Sequence, residues 1–146
     1  VAPFKNILCA IDFSPASLRA LTYALSLAQE SGKRLILLHV FDWPVDRPMP
    51  GGLGPELAEY RRHSQEQAER ELHAAVPEAA RAWCECTEVT AVGRPHEAIT
   101  RIARERGADL IVLGVHGRNA VELALFGSTT HQVVRHATCP VLTIRP

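Results

Sequence analysis

The sequence predicts a doubly wound parallel α/β sandwich, one sheet with helices on both faces. Three observations carry that prediction. Five short apolar runs alternate with four stretches of helical pattern; most of the runs are continuously hydrophobic, as strands covered on both faces are; and the fourth run leads through a glycine-bearing loop into the last helix. At 146 residues the chain reads as one domain, residues 1–146, long enough to bury a core without disulfide or metal support.

The first run, Lys5 to Asp12, closes on a carboxylate, so Asp12 lies at the carboxyl end of a central strand. Ser14 and Pro15 follow as N-cap and first helical position, and Asp12 can be read as a turn residue before them or as an acceptor for a ligand. Leu18, Leu21, Leu25 and Ala28 recur at helical spacing up to Gly32, which predicts an amphipathic helix packed on the sheet. Arg34 to Phe41 is the second buried strand. Its His39 reads as a satisfied interior histidine, because nothing nearby in sequence completes a metal or catalytic set.

Asp42 to Pro55 holds four prolines and three glycines and is expected to be a loop. It leaves the carboxyl end of a strand, where it either covers a site, with Trp43 and Met49 giving apolar contact, or is a tolerated surface insertion. A weaker helical stripe follows, through Leu57, Tyr60, Ser64, Ala68, Leu72, Ala75 and Ala79. Cys84 to Val92 alternates apolar with polar residues and fits an edge strand. Pro95 opens a helix with Ala98, Ile99, Ile102 and Ala103 on its core face, and Gly107 closes it. Asp109 to Leu113 is the fourth strand, Ser128 to about His136 the last helix, and Pro140 to Ile144 the last strand.

Between the fourth strand and the last helix lies Gly114 to Thr129. Glycines let backbone N–H groups approach an anion closely, and a helix start adds unsatisfied donors and a positive dipole end, so this loop suits a phosphate. The spacing is Gly114, two residues, Gly117, nine residues, Gly127, then Ser128 and Thr129. No lysine follows as in a P-loop, and G-x-G-x-x-G is absent. The competing reading gives the glycines only the task of permitting positive φ. Position beyond the carboxyl end of a strand, with two hydroxyls at a helix start, favours the nucleotide. His116 is placed to pair with a phosphate when protonated or to donate one hydrogen bond when neutral, and Arg118 adds a permanent charge.

These residues resemble the ATP-binding signature of the universal stress protein family, and the flanks IleLeuCysAlaIleAsp at 7–12, LeuLeuHisValPhe at 37–41 and ArgHisAlaThrCysProValLeu at 135–142 agree with it. The resemblance covers essentially the whole chain. It implies an adenine nucleotide alpha hydrolase-like sheet of order 3-2-1-4-5, Asp12 as acceptor for adenine or ribose, and the backbone of Val40 on the adenine edge. It also implies ATP with Mg²⁺ as ligand and a homodimer through the last strand, whose apolar edge would otherwise be bare. The implied role is a nucleotide-dependent regulatory or signalling module with an unidentified protein partner. A slow ATPase or self-phosphorylating protein, and an interaction protein of the same fold without nucleotide, are the alternatives. Against the last, the three glycines and Ser128 are intact.

Composition excludes other classes. Lys plus Arg equals Asp plus Glu at 16 each and aromatic content is 5%, so neither the positive field nor the stacking platforms of a nucleic-acid binder are present. No apolar run approaches the roughly 20 residues that span a bilayer, and no signal-peptide pattern precedes the first strand, so a cytoplasmic protein is expected. Cys9, Cys84, Cys86 and Cys139 form no C-x-x-C pair and read as free thiols. G-x-S-x-G, H-E-x-x-H and EF-hand patterns are absent, and no catalytic residue or metal ligand is assigned. Glu122, within the loop, is the only local candidate base, and a solvent-facing charge is its plainer reading.

Overall fold

The computed structural model describes residues 4–31, 34–44, 52, 54–115 and 127–146. Five strands, β1 (Asn6–Ala10), β2 (Arg34–Phe41), β3 (Glu85–Val92), β4 (Leu110–Gly114) and β5 (Val141–Ile144), form one sheet in the order β3-β2-β1-β4-β5. Every pairing is parallel, with Ile7 opposite both Leu35 and Leu110 in the central strand. The order is the one the family resemblance implies, and β3 lies at the edge as its alternating sequence predicts. The helices are α1 (Pro15–Ser31), α2 (Pro55–Ala75), α3 (Glu78–Arg81), α4 (Pro95–Glu105) and α5 (Gly127–His136).

The two-residue period of the strands divides the core. Ile7, Cys9, Leu35, Leu37, Leu110 and Val112 face α1 and α2, while Leu8, Ile36, Leu38, Ile111 and Leu113 face α4 and α5. Both faces of the central strands are covered, which is why their sequences are almost continuously apolar. At the foot of the sheet Asp109 ties β1 to β4. Its carboxylate accepts from the backbone N–H of Lys5 at 2.8 Å and of Asn6 at 3.1 Å.

Helix α4 matches its predicted stripe: Ala98, Ile99, Ile102 and Ala103 are all buried, and Gly107 follows at φ 68° as a left-handed stop. The stripes read for α1 and α2 need correction. In α1 the buried line is Ala16, Ala20, Leu21, Ala24 and Ala28, whereas Leu18 is 40% exposed; small residues let the helix lie close to the sheet. Its expected stop, Gly32, lies outside the described residues. In α2 only Ala68 and Leu72 are buried and Tyr60 is 64% exposed, so the first turns do not pack on the sheet. The helix ends at Ala75, and Ala79 belongs to the short α3, because Pro77 has no N–H to continue α2 and its ring clashes with the preceding turn. Arg81 of α3 fastens this corner to edge strand β3, donating to Glu88 Oε1 at 2.7 Å and to the carbonyl of His73 at 2.9 Å.

All four cysteines are free thiols, and the Cys86 Sγ–H faces Cys84 Sγ at 3.7 Å, on one side as their spacing predicts. Burial pushes the Cys9 thiol from its ordinary 9.0 up to about 12. A thiol that ionises later in the folded than in the unfolded chain contributes stability that is whole below pH 9 and lost as pH rises toward 12. Cys9→Ala, which cannot ionise, should therefore lose less stability than the wild type across that window. Urea unfolding of both proteins at stepped pH measures it, and parallel curves would contradict it.

Candidate functional site: a cleft at the carboxyl ends of three strands

In an open parallel sheet the crevice lies where strand order reverses. Here the chain leaves β1 through α1 on one face, and β4 follows α4 on the other, so β1 and β4 part at their carboxyl ends. A cleft of about 150 Å³ opens there. Leu38, Val40 and Leu113 floor it, Pro95 and Ile99 of α4 wall one side, and Thr129 and Thr130 of α5 the other. Asp12, Ser17 and Gly114 complete the mouth, and Asp12 is the only charged side chain among the described lining residues.

The turn that carries Asp12 is tightly specified. Ser14 is the N-cap of α1: its hydroxyl accepts from the Ser17 N–H at 3.2 Å, and its carbonyl from Leu18 N–H at 3.0 Å. Asp12 Oδ1 accepts from the Ser14 N–H at 3.0 Å. The turn reading of Asp12 and its place in the cleft therefore hold together. Phe13 between them takes φ 64°, a left-handed conformation uncommon for a bulky residue.

Gly114 has a steric reason to be glycine. It has no positive φ, but a Cβ built there would lie 2.5 Å from the backbone C and O of Ala16 and 2.6 Å from the N of Ser17. The first turn of α1 rests directly on this residue. At the far side Thr129 is half-buried and Thr130 is 6% exposed, both in the first turn of α5, whose N–H groups and positive dipole end belong to the same opening.

Of the residues singled out from sequence, the fold brings Asp12, Val40, Gly114 and Thr129 onto this one cleft. Gly127 opens α5, and Ser128 is exposed; neither is among the lining residues. His116, Gly117, Arg118 and Glu122 lie outside the described residues, as does Met49. Trp43 does not line the cleft. It stacks on Phe41 at 4.3 Å between ring centres, with the guanidinium of Arg61 of α2 at 5.0 Å over its ring. His39 is satisfied in the interior as expected: its Nδ1 donates to the Ile11 carbonyl at 2.8 Å, and the ring packs between Phe13 and Phe41.

Sequence reasoning missed Ser17, Thr130, Pro95 and Ile99. A signal existed for the first two: Ser17 stands three residues after the N-cap Ser14, and Thr130 continues the run from Ser128. None existed for Pro95 and Ile99, since the wall of the cleft is the same face of α4 that makes the core.

The model of the universal stress protein family matches residues 3–145. The chain belongs to the universal stress protein family. A Thermus aquaticus relative, a universal stress protein encoded in the QAH/OAS sulfhydrylase 3′ region, is 38% identical over 146 residues, covering 97% of this chain and 99% of its own. The solved structure of MJ0577, a universal stress protein of Methanocaldococcus jannaschii, superposes with a TM-score of 0.78 at 27% identity, covering 100% of this chain and 98% of the other. A universal stress protein solved in complex with cAMP superposes with a TM-score of 0.67 at 25% identity, covering 98% of both chains. No helix among the described residues is long and apolar enough to cross a membrane.

The close approach at Gly114 makes a sharp prediction. Gly114→Ala should cost at least about 3 kcal/mol, the upper end for overpacking, because the methyl meets backbone rather than a side chain that can turn away. Urea unfolding tests it; a loss below about 1 kcal/mol would mean that the first turn of α1 yields freely.

Proposed function

We propose that this universal stress protein binds ATP in the cleft and acts in the cytoplasm as a nucleotide-dependent regulatory module of a stress response. The observation that carries the reading is convergence: Asp12, Val40, Gly114 and Thr129, which come from four separate segments of the chain, line one opening. The chemistry of the lining fits the parts of an adenine nucleotide. Leu38, Val40 and Ile99 offer apolar contact to a base, with the Val40 backbone at its edge, and Asp12 offers an acceptor for ribose or adenine. The start of α5, with Gly127, Ser128 and Thr129, and the preceding Gly114, His116, Gly117 and Arg118 supply donors and charge for phosphates. Mg²⁺ would ride on the phosphates, since no three acidic, histidine or cysteine side chains cluster as a cation cage among the described residues. The cAMP complex of a relative supports an adenine nucleotide as the ligand class.

Isothermal calorimetry should give saturable ATP binding to the wild type and none to Gly117→Val, whose side chain would fill the space where phosphate meets backbone. Equal affinity in the two proteins, or no heat with the wild type at millimolar ATP, overturns the reading. Phosphate release in the same samples should stay far below the roughly 1 per second at which kinases begin.

The protein further acts as a homodimer through β5. This strand ends the sheet. The Ile111 and Val115 N–H groups of the β4 segment donate to Pro140 and Ile144, so the period of two turns the backbone N–H and C=O of Val141 and Thr143 away from β4. Two such edges can pair antiparallel about a two-fold axis. Light scattering should give twice the chain mass for the wild type and the single chain mass for Thr143→Pro, which removes an outward donor and leaves the β4 ladder intact. A monomeric wild type, or a dimeric variant, rejects this interface.

A further inference from the structure

The two buried polar residues among the described positions, Ser17 at 3% exposure and Thr130 at 6%, both line the cleft. The Ser17 hydroxyl is used twice. It accepts from the backbone N–H of Asp12 at 3.2 Å and donates to the carbonyl of Ser14 at 3.0 Å. The Ser17 N–H donates to Ser14 Oγ and the Ser14 N–H to Asp12 Oδ1, so four hydrogen bonds among three residues close around the left-handed Phe13. Strained backbone of this kind persists only where its surroundings over-determine it.

Capping of α1 does not need the Ser17 hydroxyl. The Ser14 side chain and carbonyl already serve the first turn. Asp12 is itself exposed, while its N–H points inward to the buried Ser17 hydroxyl. What the hydroxyl adds is a fixed direction. It grips the backbone of Asp12 from the buried side while Oδ1 is held by Ser14, and the first turn of α1 rests on Gly114 at backbone distance.

We propose that Ser17 is a positioning residue, which presets the Asp12 carboxylate at the mouth of the cleft for the ribose or base of a nucleotide. This rests on the nucleotide reading above. A carboxylate oriented in the free protein loses little freedom on binding, so affinity is gained without a contact between Ser17 and the ligand.

A double-mutant cycle read by calorimetry with ATP tests it, using wild type, Ser17→Ala, Asp12→Ala and the double variant. Ser17→Ala should weaken binding about fivefold to tenfold, the worth of one hydrogen bond, with native circular dichroism retained. Asp12→Ala should weaken it at least as much, and adding Ser17→Ala to Asp12→Ala should change affinity by less than about twofold. A merely structural serine would cost the same in both backgrounds, and that result overturns the proposal while leaving the nucleotide reading standing. An Asp12→Ala protein that binds as well as wild type overturns it too, since no carboxylate is then being positioned. Absence of ATP binding by the wild type is distinguishable from both and removes the nucleotide reading together with this one.

Discussion

The cleft depends on one steric fact: β4 ends in a residue without a side chain, and the backbone of the first turn of α1 occupies the space. Helix and strand meet there at main-chain distance, which forces the link from β1 to α1 into a short turn. That turn is made with Phe13 left-handed and with its polar groups answered locally by Asp12, Ser14 and Ser17. The carboxylate thus stands at the mouth because the helix is close, and the helix is close because residue 114 is glycine. Packing on one face of the sheet sets the chemistry of an opening floored by the other.

Strands were legible because a strand buried on both faces has little room for polar side chains, and β1, β2 and β4 read as apolar runs interrupted inside only by His39. Helix α4 was legible for the matching reason. Its apolar residues are large, confined to one side and bounded by Pro95 and Gly107. Where the sequence misled, size was taken for burial. Leu18 looks like a core residue and is exposed, while Ala20 and Ala24, outside the expected stripe, join Leu21 and Ala28 in carrying the contact, because small residues let the helix lie near the sheet. Tyr60 stands at helical spacing from Ala68 but on a part of α2 that reaches past the sheet.

The site divides in the same way. Asp12, Gly114 and Thr129 were legible because a carboxylate at a strand end, a glycine after an apolar run and hydroxyls at a helix start each break a pattern. Val40 breaks none, being one more apolar residue in β2, and entered only through family resemblance. Pro95 and Ile99 could not be found, since the residues that wall a cleft continue the residues that fill a core, and only the fold shows where the filling stops. Gly114 stands out by its missing side chain, and the packing gives that absence a task of its own, making way for α1.

The described lining also bears on what kind of work this cleft can do. Efficient phosphoryl transfer needs a nucleophile held in line, a group to orient or deprotonate it, and charge on the transferring oxygens. The single lining carboxylate, Asp12, is already accepting a hydrogen bond from its own turn, which holds it still and suits recognition better than proton transfer. What the geometry favours is linkage. Residues of β1, β2, β4, α1, α4 and α5 border the opening, so one ligand would touch elements from both faces of the sheet and stabilise the arrangement in which they stand together. A ligand that binds one such arrangement better than another shifts the population between them by its differential affinity. Because α5 leads directly into β5, the strand with the outward edge, its first turn connects the cleft to the surface where a second chain would pair.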